Sequence, residues 1–289
     1  MAVILDGKAL AQKIRTQVRQ EVADLKAQGV SPRLHVALVG EFPPSVVYVR
    51  NKENDCTEVG IETETAHLPE ALSQQELLDL IQSWNQDSRV HGILVQLPLP
   101  RQIDPQAILS ALAPEKDVDG LSPKNLGRIL SGRPDFYPCT PSAVLEILQA
   151  YGIIIAGKHV VIVGRGELVG KPLANMLLQK SNTGNATVTV CHSQTPDIGA
   201  FTRLGDIVVA AVGKPGLIRA EMVRPGAVVI DVGISRIPFE SKTRLVGDVD
   251  FDAVAQVASA ITPVPGGVGP MTRAMLLKNT ARATKMTIM

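Results

Sequence analysis

Apolar residues recur at helical spacing near the start of the chain, at Leu10, Ile14, Val18, Val22 and Leu25, which predicts an amphipathic helix over residues 7–28 ending near Gly29. A strand over 33–39 follows. Beyond it, helical patterns near 44–58, 73–86 and 105–112 alternate with strand-like stretches at 61–67 and 91–96. Such alternation predicts a parallel or mostly parallel sheet with helices on its faces. Pro138, Thr140 and Pro141 interrupt the pattern ahead of a helix at about 142–151. A second series of strands then runs 159–163, 186–191, 206–211, 227–232 and 258–262, with helices or turns between, the order of a doubly wound nucleotide-binding domain. Pro270 suits the first turn of a last helix, 271 to about 284. The expected fold class is α/β: two α/β domains, the second a Rossmann-type, doubly wound, mostly parallel sheet, with a ligand in the interdomain cleft.

The most informative segment is His159 to Pro172. Val160, Val161, Ile162 and Val163 make the β-branched run of a strand buried on both faces, and Gly164, Gly166 and Gly170 punctuate the turn that follows. Glycine lets backbone N–H groups approach a pyrophosphate, and a helix from about Leu168 to Leu178 would offer its positive end to the phosphates. The same glycines also serve a tight strand-to-helix turn on steric grounds alone. No carboxylate stands about twenty residues further on to accept the ribose hydroxyls. The second strand runs instead into His192-Ser193-Gln194-Thr195, and Arg165 lies inside the turn. A cation and a hydroxyl favour a 2′-phosphate, so NADP is expected over NAD. The plainer reading makes Arg165 a solvated turn residue and Ser193 a helix cap.

Composition narrows the partners. The 289 residues suit two ordinary domains, and a hydrophobic content of 45% is ample for two cores. With a net charge of +1, no basic run and only 3% aromatics, nucleic acid has no evident surface to bind. No apolar stretch has the length of a signal or membrane span, so the expected partners exclude membranes and the expected location is cytoplasmic. The three cysteines, Cys56, Cys139 and Cys191, lack metal or disulfide spacing and read as reduced packing residues; no metal site is expected.

Candidate chemistry lies ahead of the glycine turn. Tyr48 and Lys52 are one helical turn apart in a segment opening Pro43-Pro44-Ser45, where Ser45 is a candidate cap. Phenol and amine on one face can share a proton once burial lowers the lysine's proton affinity. Short-chain dehydrogenases use the same Tyr-x-x-x-Lys spacing, but downstream of the glycine turn rather than upstream, so that family does not fit. Gln96 closes the apolar strand Gly92–Val95 at its carboxyl end, where it either bonds the adjacent turn or faces Lys52. Asp117 and Asp119, in Lys116-Asp117-Val118-Asp119-Gly120, leave open a metal, a loop or capping role, or a carboxylate grip on an amino-heterocycle.

Taken together, these segments resemble the bifunctional methylenetetrahydrofolate dehydrogenase/methenyltetrahydrofolate cyclohydrolase family. The resemblance rests on residues 44–52, 92–100, 116–120, 138–141, 163–172, Asp231-Val-Gly-Ile234 and Pro265-Gly-Gly-Val-Gly-Pro-Met-Thr272, in order along nearly the whole chain. It implies NADP-dependent oxidation of methylenetetrahydrofolate, then hydrolysis to 10-formyltetrahydrofolate, in one-carbon metabolism and purine biosynthesis. It implies Lys52 as the central acid/base, Tyr48 orienting it and Gln96 adjusting its protonation. Asp119, Pro265 and Gly266 would hold the folate, and Gly164, Arg165, Gly166, Gly170, Ser193, Ile234 and Thr272 the dinucleotide. It further implies a homodimer, a folate-binding catalytic domain over 1–121 with the last helix, 271–289, packed back on it, and a dinucleotide domain over 122–289. Gly166 stands where the family commonly has serine, and Gln194 where it often has a basic residue. Two rivals remain: a two-domain NAD(P)-dependent dehydrogenase of an amino acid or shikimate-like substrate, and a catalytically silent nucleotide-binding regulator.

Overall fold

The computed structural model describes residues 1–239 and 242–288, and contacts divide the chain into two units. Met1–Ala11 joins Thr140–Thr272 in one, and Gln12–Cys139 joins the residues from Arg273 onward in the other. In chain order the elements are β1 (Val3–Ile4), α1 (Gly7–Ala27), β2 (Arg33–Val39), α2 (Pro43–Val59), β3 (Glu62–Leu68), α3 (Gln74–Gln86), β4 (Gly92–Val95), α4 (Pro105–Ala111), α5 (Pro123–Leu130) and α6 (Cys139–Ala150). Then come β5 (His159–Val163), α7 (Gly170–Leu178), β6 (Thr187–Cys191), α8 (Ile198–Thr202), β7 (Ile207–Ala210), β8 (Val228–Asp231), β9 (Ser235–Phe239), β10 (Lys242–Val246), α9 (Phe251–Val254), β11 (Ala260–Ile261) and α10 (Val268–Met286).

The unit built on Gln12–Cys139 carries a parallel three-stranded sheet in the order β3-β2-β4. Central β2 is buried along nearly its whole length, whereas edge strand β3 alternates and turns Glu62 and Glu64 outward. Ala37, Val39, Ile93 and Val95 pack on Leu77, Ile81 and Trp84 of α3 and Ile108 of α4. Helix α3 starts with a reciprocal Ser73–Glu76 capping box. Helix α2 starts differently from expectation. Ser45 is not its cap: Phe42 is the N-cap residue without a side-chain bond, and the two prolines open the first turn at no hydrogen-bond cost. Ser45 is instead buried, with its hydroxyl 3.5 Å from the Leu97 carbonyl.

The other unit holds a six-stranded, all-parallel sheet in the order β1-β11-β8-β7-β5-β6. Renumbered from β5, the strands β5, β6, β7, β8 and β11 follow the doubly wound order 2-1-3-4-5, with β1 added at the far edge. In such a sheet the chain direction of winding reverses between β5 and β7, and ligands collect at the carboxyl ends of those strands. Residues 160–163 and 207–210 are fully buried, so both strands read as continuous apolar runs.

Several bounds depart from the periodicity. Helix α6 begins at Cys139 and α10 at Val268, each about three residues early, because Pro141 and Pro270 sit harmlessly in first turns. Helix α7 begins at Gly170, after the glycine turn has been completed. Strand β1, the antiparallel β9–β10 pair and helix α5 were not predicted by the apolar pattern. All three cysteines are buried and unpaired. Among the described residues, no helix is long and apolar enough to cross a membrane.

Candidate active site

Lys52, on α2, is buried within the Gln12–Cys139 unit with only 6% of its surface exposed. Its Nζ donates to Gln96 Oε1 at 3.0 Å and lies 4.7 Å from the centre of the Tyr48 ring, one turn earlier on the helix. Gln96 Nε2 donates to the Leu97 carbonyl at 2.7 Å, which orients the amide with its oxygen toward the amine. The two alternatives for Gln96 are therefore both realised, one on each end of the same amide.

Burial pulls the Lys52 proton affinity below that of a free lysine. The Asp119 carboxylate works against this shift, and the Arg273 guanidinium adds to it. Asp119 itself is raised by burial and drawn back by Lys52. Burial also raises the Tyr48 phenol far above neutrality, with Asp119 reinforcing the effect, so Tyr48 stays protonated and can only donate or stack. Amine, amide, phenol ring and carboxylate thus form one electrostatic group. A lysine held this way exchanges its proton more readily than one in water.

The two acids of the 116–120 segment separate cleanly. Asp117 is fully buried and accepts from Leu121 N at 3.2 Å, Ser122 N at 2.8 Å and Asn125 Nδ2 at 2.9 Å, so it anchors the start of α5. Asp119 is half-buried, and the nearby Cys139 thiol donates to the Val118 carbonyl at 3.4 Å. One carboxylate builds the loop and the other takes no part in that anchoring. Among the described residues, no group of three or more His, Cys, Asp or Glu is placed to hold a metal ion.

Four residues that shape the site carry no role in the sequence pattern: Cys139, Arg273, Asp55 and Arg15. Cys139 lies against Asp119, and burial pushes its thiol well above its ordinary range, so it acts as a neutral neighbour. Arg273 pairs with Asp55 at 3.1 Å, and Arg15 approaches the same carboxylate at 3.9 Å. Asp55 lies three residues beyond Lys52 on α2, a spacing that puts it on the neighbouring helix face; that was the available signal.

In the unit with the six-stranded sheet, the glycine turn joins β5 to α7. A Cβ at Gly164, where φ is +129°, would lie 2.2 Å from the Ala211 carbonyl oxygen, and one at Gly170 would lie 2.0 Å from the Gly164 carbonyl oxygen. Backbone passes backbone here with no room for a side chain, as a phosphate cradle requires. Gly166 has nothing within 4 Å of a would-be Cβ, so there is room for a side chain there. Arg165 and Ser193 are exposed at the carboxyl ends of β5 and β6. Ser193 is not a helix cap, since Asp197 caps α8.

Ile234, Pro265 and Gly266 line one cavity of about 90 Å³, together with Asp231 and residues 267–270. Gly266 adopts φ +111°, and its carbonyl accepts from Lys8 N at 2.8 Å. Thr272 lies apart from that lining: its hydroxyl is 3.2 Å from both Thr140 Oγ1 and the Val268 carbonyl. The sequence-derived residues therefore form two groups. Tyr48, Lys52, Gln96 and Asp119 belong to one unit, and the glycine turn, Arg165, Ser193, Ile234, Pro265, Gly266 and Thr272 to the other.

Comparison with known proteins matches both units. The family model described as the catalytic domain of tetrahydrofolate dehydrogenase/cyclohydrolase covers residues 5–119, and the model of its NAD(P)-binding domain covers residues 138–288. The bifunctional protein FolD of Moorella thermoacetica is 55% identical over 284 residues, 98% of this chain and 99% of the relative. A crystal structure of the bifunctional enzyme FolD, a methylenetetrahydrofolate dehydrogenase/cyclohydrolase, from Campylobacter jejuni superposes with a TM-score of 0.95 at 47% identity, covering 99% of this chain and 100% of that one. The Trypanosoma brucei methylenetetrahydrofolate dehydrogenase-cyclohydrolase, solved with NADP cofactor and an inhibitor, gives a TM-score of 0.94 at 44% identity, covering 99% and 98%.

Proposed function

Because the chain belongs to the tetrahydrofolate dehydrogenase/cyclohydrolase family, we propose that it oxidises 5,10-methylenetetrahydrofolate with NADP and then hydrolyses the methenyl product to 10-formyltetrahydrofolate. The observation that carries this reading is the buried Lys52 ammonium, 3.0 Å from Gln96 Oε1 and stacked on Tyr48, with the Asp119 carboxylate acting to hold its proton. An amino acid or shikimate-like substrate would call for a cluster of cations to hold its carboxylate; this pocket presents a carboxylate instead. A silent regulator would have no use for a desolvated lysine.

The proposed roles follow from the chemistry. Asp119 accepts adjacent N–H donors of the pterin in a bidentate grip. The dinucleotide, when bound, accepts a hydride from the methylene bridge and leaves a methenyl cation in the folate. Water then adds to that carbon and Lys52 takes a proton from it. As the carbon–N5 bond opens, Lys52 returns a proton to N5, so that one of water's two hydrogens ends on the pterin and the other leaves to solvent. Gln96 and Tyr48 hold the amine in place between the two transfers. Arg165 and Ser193 would receive the 2′-phosphate, the glycine turn the pyrophosphate, and Ile234 and Thr272 the nicotinamide end, while Pro265 and Gly266 keep the folate-holding role that the resemblance implies. The folate chemistry is assigned to the unit with α2 and β4, and the cofactor to the unit with the six-stranded sheet. A cytoplasmic homodimer is the assembly this reading carries with it.

The direct test is to mix purified protein with methylenetetrahydrofolate and NADP. Methenyl absorbance should appear and then decay, whereas added methenyltetrahydrofolate should decay without dinucleotide. Neither signal would mean a different enzyme. For cofactor choice, Arg165→Ala should raise KM for NADP about tenfold, the loss of roughly 1.4 kcal/mol of charge-assisted binding, and leave KM for NAD unchanged. An equal rise for both would remove the 2′-phosphate role.

The protonation of Lys52 yields a signed prediction. Asp119 raises its proton affinity and Arg273 lowers it, so the inflection in the pH–rate profile of hydrolysis should move to lower pH in Asp119→Asn and to higher pH in Arg273→Gln. Displacement of both in one direction would show that Lys52 is not the group titrating.

A further inference from the structure

Two aspartates with no part in the chemistry above are buried at the carboxyl edge of the six-stranded sheet: Asp231, 3% exposed, and Asp248, fully buried. Buried carboxylates are costly unless they are hydrogen-bonded, and the partners here are backbone N–H groups, with Asp248 Oδ1 alone of the four oxygens left without one. Asp231 Oδ1 accepts from Gly233 N and Asp248 N, each at 2.9 Å, and Oδ2 accepts from Val249 N at 3.0 Å. Asp248 Oδ2 accepts from Val212 N at 2.6 Å and Gly213 N at 3.0 Å. Each carboxylate also fits against a glycine: a Cβ at Gly233 would lie 2.2 Å from Asp248 Cγ, and one at Gly247 would lie 1.9 Å from Asp231 Oδ2.

These contacts run in an unbroken line. Asp231 ends β8, three residues before Ile234, and lines the cavity shared by Ile234, Pro265 and Gly266. It grips the backbone of Asp248, at the foot of the β9–β10 pair. Asp248 in turn grips residues 212 and 213 after β7, and the neighbouring Ala211 carbonyl is the group against which Gly164 packs. The pair therefore links the loop at the nicotinamide end of the expected cofactor site to the glycine turn at its phosphate end. Burial raises the Asp231 carboxyl to about 6, with backbone N–H groups holding it back, so it remains a charged acceptor at neutral pH.

We propose that Asp231 and Asp248 are positioning residues for the dinucleotide, two carboxylate knots that fix the three loops after β7, β8 and β10 in the register the cofactor needs. They touch no reacting atom. The proposal deepens the dehydrogenase half of the function given above and rests on it. Geometry of this kind acts on cofactor affinity and orientation, since small displacements of positioning groups cost large factors in rate.

The test compares Asp231→Asn and Asp248→Ala with the wild-type enzyme, following NADP-dependent methenyl formation and, separately, dinucleotide-free hydrolysis of methenyltetrahydrofolate. An amide at 231 turns an N–H donor toward backbone N–H groups, since both oxygens of Asp231 accept from them; at 248 only Oδ2 accepts, so an amide could keep that grip and alanine is the variant that removes it. KM for NADP should rise about tenfold or more, with kcat at saturation and hydrolysis each within about threefold of wild type. Gly233→Ala, which pushes on Asp248 from the opposite side, should give the same split. Unchanged KM for NADP in both aspartate variants overturns the proposal. So does parallel loss of both activities with loss of the far-ultraviolet circular dichroism of the fold, because the pair would then serve folding rather than the cofactor. Failure of the wild type to reduce NADP would instead sink the function itself.

Discussion

Replacing Lys52 with alanine should lower the rate of methenyltetrahydrofolate hydrolysis by about 10²–10⁴-fold, the usual contribution of a positioned general acid/base, while NADP still binds. The lysine is the group of its cluster that can both give and take a proton near neutrality. Burial raises the Tyr48 phenol beyond use as a base, Gln96 does not titrate, and Asp119 is engaged in holding the pterin in the proposed scheme. Lys52→Arg sharpens the test. A guanidinium keeps the positive charge, and with it any purely electrostatic role beside Asp119, but it cannot be deprotonated under these conditions. Arginine should therefore rescue little of the hydrolysis. Stopped-flow decay of methenyl absorbance measures both variants, and equilibrium titration with NADP checks that the other unit is intact. Hydrolysis within about threefold of wild type in Lys52→Arg would show that charge rather than proton transfer is what the site needs from this residue.

The elements that carry this chemistry were legible because their signals are local. The β-branched run 160–163 and the apolar stripe of α1 depend on residues a few positions apart, and both were found within a residue or so of their structural bounds. Tyr48 and Lys52 share a helix turn, so their proximity also followed from spacing. What stayed hidden depends on partners distant in sequence. Strand β1 is two residues long and gains its identity only by pairing with β11. The two acids at 117 and 119 look equivalent in the sequence, and become a loop anchor and a half-buried carboxylate outside that anchor only once Asn125 is folded onto the first. Arg273 reaches Asp55 across more than half the chain, and Asp231 and Asp248 meet through backbone amides that no side-chain pattern announces. Ser45 illustrates the opposite error. A favourable capping residue was assigned by local preference, but the prolines before it had already begun the helix.

The glycine turn offers the second large effect, because its three glycines differ in what they permit. Gly164→Ala would force a methyl group to within 2.2 Å of the Ala211 carbonyl oxygen at a backbone φ of +129°, and both are backbone constraints that a rotamer change cannot relieve. The turn must open, and β5 must part from the loop after β7, at the point where a doubly wound sheet receives its ligand. NADP-dependent oxidation should fall by about 100-fold or more, mostly through KM for the dinucleotide. Gly170→Ala should behave alike, since its methyl would meet the Gly164 carbonyl at 2.0 Å. Gly166→Ser should stay within about threefold of wild type, because nothing lies within 4 Å of the added carbon. Hydrolysis without dinucleotide, assigned to the other unit, should survive in all three and reports that each variant is folded. A Gly164→Ala enzyme that kept its KM for NADP would mean the pyrophosphate lies elsewhere, and a Gly166→Ser enzyme that lost it would mean the bare backbone at that position, rather than the steric closure around it, receives the phosphates.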